Sequence, residues 1–325
     1  MAIQDGAVFA VKPHADDMSN RKPRRKKGEE RPFCPPELAL LPSRYDVAWR
    51  LYHHYTMARN DAAYGLAWNE FKNTQRHLRL EDSLKLARKR AKMNGTPRAL
   101  RVRASELKNC ARATAMDLMG FERQDIGVDS PHWNLAAVYG ETVHEEVELA
   151  LSFLGLVKKS EFYLRSAGDE IGGMADILLN GAAFVVAGEE PLPDAILDIK
   201  SVGTDEFKKS WHGDKVRGYM QQISAYARIN GNSVGVILLA DRGSGKFEDC
   251  EFVVEPAHGD AMIKRAAIII RKAQAKQLPK PEALDRGHKL ECLKFCPFAN
   301  ICRRQQEDGS VQFALDAGEE PKNIK

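Results

Sequence analysis

Two strand-length apolar runs flank one helix-length segment, and that order constrains the fold most. DAILDIK (Asp194–Lys200) and SVGVILLAD (Ser233–Asp241) are short, aliphatic and partly β-branched, which predicts strands. GDKVRGYMQQISAYARIN between them has helical spacing. The pattern extends both ways. WNLAAVYGETVHEEVELALSFLG predicts a long helix with Ala137, Gly140, His144 and Val147 on one face. EFYLRS and IGGMADILLNG predict two strands, and AAFVVAG a further short one. FEDCEFVVE predicts another strand and AMIKRAAIIIRKAQAKQ a helix. Helices before, between and after strands describe an α/β sheet with helices packed on it. Further upstream, RASELKNCARATAMDLMGF reads as a helix capped by Ser105 and carrying Cys110.

The strand DAILDIK carries charge where apolar residues are expected. Residues two apart on a strand share a face, so Asp198 and Lys200 project together and Ile199 faces the other way. An ordinary ion pair at an exposed strand end also fits that tripeptide. Asp176 interrupts the apolar run GGMADILL 22 positions earlier, behind Gly172 and Gly173. Adjacent strands bring two such carboxylates together only if a cation or proton offsets their repulsion. Hard oxygen ligands of this kind suit magnesium or manganese. Lys200 on the same face is placed to stabilise charge developing on a phosphate, or to orient water. His144 offers a nitrogen ligand, although a helical histidine is as readily packed or exposed. Gln222 and Tyr226, four apart, share a helix face and can hydrogen-bond a phosphate or position Lys200. Asp194 lies only four positions before Asp198, so it reads as the start of the same strand and not as the second carboxylate.

Of 325 residues, 29% are charged, with a formal net charge of +4 that is unevenly spread. Residues 1–103 hold 22 Lys and Arg against 11 Asp and Glu, a balance of +11, which leaves −7 for the remainder. A basic front points to a polyanionic partner, with nucleic acid the default, or to a solvated basic tail. NRKPRRKKGEERPFCPPE lies in a segment that reads as disordered, residues 1–37. Three helices are expected next: one from Ser43, with Ser43 and Asp46 as a capping pair, one along Ala63, Ala67 and Phe71, and one over EDSLKLARKRAKMNG. His53 and His54, being adjacent, point to different faces and read as surface or packing residues. No apolar run approaches a membrane span, and the N-terminus reads as neither secretory signal nor transit peptide, so a soluble, cytoplasmic protein is expected. Cys292, Cys296 and Cys302 cluster near the C-terminus, which points to metal rather than disulfides.

The ordered set His144, Gly173-x-x-Asp176, Asp198-x-Lys200 and Gln222-x-x-x-Tyr226 resembles the RecB-like branch of the PD-(D/E)XK nuclease superfamily. One cysteine before these motifs and three after resemble its CRISPR-associated and AddB-type iron–sulfur exonucleases, phage members included; the closing spacing, C-x3-C-x5-C, departs from the two-residue first gap more usual there. The resemblance covers residues 99–305. It implies a nuclease core with a central mixed sheet flanked by helices; the basic helical extension over 38–98, which matches nothing in that family, precedes it and a tail over 306–325 follows. It implies a metal-dependent DNA exonuclease acting on single-stranded DNA or free ends in recombination, replication or repair, in a bacterial or phage-infected cell. His144, Asp176, Asp198 and the Ile199 carbonyl would bind Mg2+ or Mn2+. Lys200 would assist the attacking water, and Gln222 and Tyr226 would support the site. Cys110, Cys292, Cys296 and Cys302 would hold a 4Fe–4S cluster, with zinc as the alternative. Cys250 then reads as a packed strand residue and Cys34 as a tail thiol. The competing reading is a non-catalytic DNA-binding or scaffolding protein of the same fold.

Overall fold

In the computed structural model the described residues are 41–92, 100–123, 131–184, 190–208, 214–279, 296–305 and 311–313. The basic tail over 1–37 with Cys34, the residue Cys292, and most of the tail over 306–325 lie outside them.

Aliphatic runs form the strands as expected. They are β1 (Leu41–Pro42), β2 (Val102–Arg103), β3 (Val157–Arg165), β4 (Ile171–Leu179), β5 (Ala195–Val202), β6 (Val234–Asp241) and β7 (Phe247–Val253). Together they make one mixed sheet in the order β1-β7-β6-β5-β4-β2, with β3 also paired to β4. β5 and β6 run parallel, while β3–β4, β4–β5 and β6–β7 are antiparallel. The helices are α1 (Val47–Asn60), α2 (Ala62–Lys92), α3 (Ala111–Leu118), α4 (Pro131–Phe153), α5 (Thr204–Phe207), α6 (Asp214–Asn230), α7 (Pro256–Gln274) and α8 (Ala299–Cys302). A small hairpin, β8 (Arg303–Gln305) with β9 (Val311–Phe313), follows α8.

Helices cover both faces of the sheet, so β6 is buried at every position. On one face Ile196, Ile237 and Leu239 pack with Met116 of α3, Met220 and Ile223 of α6, and Ala266 and Ile269 of α7. On the other, Leu197, Ile199, Val236 and Leu238 pack with Leu51 of α1 and Val147 and Leu151 of α4. Alternate strand residues thus feed two separate cores. Among the described residues no helix is long and apolar enough to cross a membrane.

Several local expectations change. Asp46 takes a left-handed backbone and makes no side-chain cap on α1. The carboxylate of Asp249 on β7 instead accepts from the Val47 and Ala48 amides at 3.2 and 3.0 Å. A distant strand therefore supplies the cap. The second and third helices expected near the N-terminus are one helix, α2, because neither Gly nor Pro occurs between Gly65 and Gly95 to break it. Asp61 caps it through the Ala63 and Tyr64 amides, both at 3.0 Å. Ser105 lies inside a 3-10 turn, Ala104–Glu106, and Cys110 itself is the N-cap residue of α3. Ala182–Phe184, the front of the short strand expected over AAFVVAG, lies in a 3-10 turn, Gly181–Phe184, with Phe184 buried edge-on to Tyr45 at 5.0 Å, and the rest of that expected strand lies outside the described residues.

His54 is fully buried among Tyr64, Trp68 and Phe153, while His53 stacks on the exposed Trp49 at 5.3 Å. Burial, with His53 and Lys72 adding repulsion, pushes the His54 imidazole down to about 4. His54 is a packing residue. α2 also reaches the helix that carries His144: Lys72 and Arg76 pair with Glu146, Arg76 also with Glu145, and Arg79 with Glu148.

Candidate active site

The site forms where two strands part. β4 and β5 pair at Leu179–Ala195, Leu178–Ile196 and Ile177–Leu197, and there the ladder stops. The same register, continued one step, sets Asp176 opposite Asp198. The Asp176 carboxylate reaches across the fork and accepts from the Ile199 amide at 2.8 Å, replacing the lost ladder bond. On the other edge of β4, Ser160 pairs with Ile177 and Phe162 with Ala175, which sets Glu161 opposite Asp176. Glu161 has φ 42°, a left-handed conformation that a non-glycine residue rarely adopts. Three carboxylates therefore stand in one row across β3, β4 and β5.

β4 also changes face in this row. Ala175 packs on the α6 side and Ile177 on the α4 side, although residues two apart on a regular strand share a face. This shift accounts for an acid inside an apolar run. Burial, and then the neighbouring Asp198, push the Asp176 carboxyl up to about 7. It is thus poised to ionise when a cation arrives.

From the α6 side, Gln222 Nε2 donates to Asp198 Oδ1 at 3.2 Å, and the Lys200 ammonium lies 2.7 Å from Asp198 Oδ2. That distance makes a close ion pair on a buried carboxylate. Burial pulls the Lys200 ammonium down, yet Asp198 and Asp176 outweigh it and hold it above its usual value. The Tyr219 ring lies 5.2 Å from Lys200 Nζ, a cation–π contact on the opposite flank. Tyr226 hydrogen-bonds Gln222, and its hydroxyl fills the space beside Gly173, where any Cβ would collide with it. The glycine three residues before Asp176 is thus required by the tyrosine packed against it.

From the α4 side, His144 Nδ1 lies 3.6 Å from Asp176 Oδ2, and the ring also hydrogen-bonds the Ile199 backbone. Burial and then the charge of Lys200 lower its basicity, which favours a neutral imidazole able to donate a lone pair. A small open cavity in front is lined by His144, Glu148, Glu161, Asp176, Ile177 and Ile199. Burial raises the Glu148 carboxyl, which Ser160 and Arg79 hold in place.

Among the described residues no three His, Cys, Asp or Glu side chains converge as a ready metal cage. His144 and Asp176 face the cavity, whereas Gln222 and Lys200 hold Asp198 on the α6 side. The donor chemistry nevertheless fits a hard divalent cation. It combines the Asp198 carboxylate, a carboxyl held near neutrality, a neutral imidazole and the Ile199 backbone.

Asp194 sits at the far end of β5, bound to Lys158 at 2.6 Å and to the Gly181 amide at 3.0 Å. Glu148, Glu161 and Tyr219 belong to the site but carried little signal. Glu148 is one helical turn after His144, and Tyr219 shares the α6 face of Gln222 and Tyr226. Glu161 joins the row only through the register of β3 on β4.

Of the cysteines, Cys110 sits at the N-cap position of α3, while Cys296 precedes the turn into α8 and Cys302 is the last residue of that helix. Cys302 belongs to the hydrophobic cluster that also holds Ala111, Ala115 and Met116 of α3, and Cys296 packs against it. Cys250 lies on β7, paired with Pro42 and Ile237.

No protein-family model and no curated protein matches the chain. Among solved structures it is similar to that of SSO0001, with 16% identity and a TM-score of 0.44, over 66% of this chain and 90% of that one. It is also similar to an alkaline exonuclease, LHK-Exo from Laribacter hongkongensis, with 13% identity and a TM-score of 0.38, over 58% and 93%. The same enzyme in complex with dAMP gives 14% and 0.37 over the same shares. The functional reading rests on the residues of the site, not on these likenesses.

Proposed function

We propose that this protein is a divalent-metal-dependent DNA nuclease of the RecB-like PD-(D/E)XK type, acting from DNA ends. The observation that carries the reading is the fork at Asp176 and Asp198, with Lys200 paired to the second carboxylate. Mg2+ or Mn2+ bound by His144, Asp176, Asp198 and the Ile199 carbonyl would supply a Lewis acid for the scissile phosphate and its attacking water. Lys200, charged and held by Asp198 and Tyr219, is placed to stabilise the negative charge that develops on phosphate oxygens. Gln222 fixes Asp198, and Tyr226 fixes Gln222. The test is cleavage of end-labelled single- and double-stranded DNA. Products shortened from an end, dependent on Mg2+ or Mn2+ and abolished by EDTA, are expected. Tight DNA binding without metal-dependent cleavage would instead mark a non-catalytic DNA-binding protein.

The same reading assigns Cys110, Cys292, Cys296 and Cys302 to a structural 4Fe–4S cluster, with zinc as the alternative. In its support, Cys110, Cys296 and Cys302 all belong to segments packed on the α3 side of the sheet. Such a centre ties the C-terminal segment to the start of the domain and links metal content to folding. Cys110→Ser is expected to remove the visible absorption and bound metal and to lower soluble yield, whereas Cys250→Ser leaves both unchanged. Iron, sulfide and zinc per chain measure this. A Cys110→Ser protein with full metal content contradicts the four-ligand assignment.

A further inference from the structure

Beside the carboxylate row, β3 and β4 present a shelf that the catalytic reading does not use. Phe162 and Leu164 pack into the core on the α6 side, so Glu161, Tyr163 and Arg165 face the other way. Tyr163 pairs across the ladder with Met174, and the two are 55% and 49% exposed. Large apolar side chains left this open, directly beside the cavity, call for an explanation.

The tyrosine ring is held rather than loose. Arg101 Nη1 donates to its hydroxyl at 2.7 Å, and Arg101 is in turn paired with Asp169. Gly172 lies beneath, where a Cβ would strike both the Tyr163 hydroxyl and the Arg101 stem. Arg165 pairs with the same Asp169 at 3.2 Å, so two guanidiniums share one carboxylate at the end of the shelf away from Glu161. Along the strand, Glu161, Tyr163 and Arg165 follow at intervals of about 7 Å. An acidic row for metal and phosphate, an anchored aromatic and a basic end thus succeed one another on a single strand.

We propose that the Tyr163–Met174 shelf is a stacking subsite for one base of a single-stranded DNA end, adjoining the phosphate at the carboxylate row, with Arg165 facing the next phosphate. The proposal deepens the nuclease reading and rests on it for the position of the phosphate. Single-stranded DNA is the occupant because the shelf continues the cavity, carries guanidinium groups at one end, and offers a fixed ring face to an unpaired base. A duplex keeps its bases stacked and cannot use that face.

The test is binding, read by fluorescence anisotropy in EDTA so that cleavage plays no part. The probes are a fluorescein-labelled 12-nucleotide oligo(dT) and a blunt 12-base-pair duplex. Tyr163→Leu keeps apolar volume but removes the ring, and is expected to weaken oligo(dT) binding by roughly 5- to 100-fold, with duplex binding changed less than about twofold. Tyr163→Phe keeps the ring and is expected to stay within about threefold of wild type. Arg165→Ala is expected to lower the salt slope for oligo(dT) by about 0.7. The subsite is overturned if wild-type protein does not bind oligo(dT), if Tyr163→Leu binds it as wild type does, or if Tyr163→Phe loses as much as Tyr163→Leu. The last result would reduce Tyr163 to a prop for Arg101. A protein that binds as expected yet never cleaves keeps the subsite and loses the nuclease reading. One that cleaves while Tyr163→Leu changes nothing loses the subsite alone.

Discussion

Lys200→Ala is expected to lower metal-dependent DNA cleavage by about 10²- to 10³-fold, the usual cost of removing one preorganised charge from a phosphate or oxyanion site. Its ammonium lies against Asp198 and under Tyr219, so it is fixed before substrate arrives. Binding to DNA should change little, since a half-buried lysine already paired with a carboxylate is not a long-range anchor for the backbone. Asp198→Ala is expected to do at least as much damage, because it removes a proposed metal ligand and also leaves the Lys200 ammonium without its closest counter-ion. Asp194→Ala is the control. Asp194 binds Lys158 and Gly181 at the other end of β5, so its loss should leave cleavage near wild type. Steady-state cleavage of one labelled substrate by the three purified variants reads all of this. A cleaving Lys200→Ala protein, or a dead Asp194→Ala protein that is folded, places the chemistry elsewhere.

Gly173→Ala is the second large effect. Its new methyl would meet the Tyr226 hydroxyl, and Tyr226 is buried and cannot swing away freely. Overpacking of this kind typically costs about 1–3 kcal/mol. The displaced phenol also supports Gln222, which supports Asp198, so cleavage should fall by roughly tenfold or more with stability. The informative partner is Tyr226→Phe, which removes the colliding oxygen. The double variant Gly173→Ala/Tyr226→Phe is expected to regain most of the lost stability and part of the activity. Urea denaturation beside a cleavage assay separates the two. If the double variant is no better than Gly173→Ala alone, the glycine is required for a reason other than this contact.

Much of this site was legible in the sequence because its parts lie on strongly periodic elements. β4, β5 and β6 are aliphatic enough to declare themselves, so Asp176, Asp198 and Lys200 stand out as breaks in a pattern. His144, Gln222 and Tyr226 follow from helical spacing once a face is chosen. Other features depend on register between distant segments, which no local signal encodes. Glu161 meets Asp176 only because β3 pairs with β4 in that register, and its left-handed backbone has no sequence signature. The cap on α1 comes from Asp249, about two hundred residues away, although Ser43 and Asp46 look like a local pair. The length of α2 is the opposite case: the Ala63–Phe71 pattern and EDSLKLARKRAKMNG read as two helices, but no Gly or Pro stands between them to end the first.

The most direct test of the central claim is a calorimetric titration of Mn2+ into wild-type and Asp176→Asn protein between pH 6 and pH 8. A carboxyl raised to about 7 must lose its proton to bind a cation, so affinity should climb as pH rises through 7 and then level off, with proton release below that point. Asp176→Asn should abolish the saturable binding. Saturable Mn2+ binding that survives Asp176→Asn unchanged, or no saturable binding by the wild-type protein at any of these pH values, would contradict a metal-dependent site at the fork of β4 and β5.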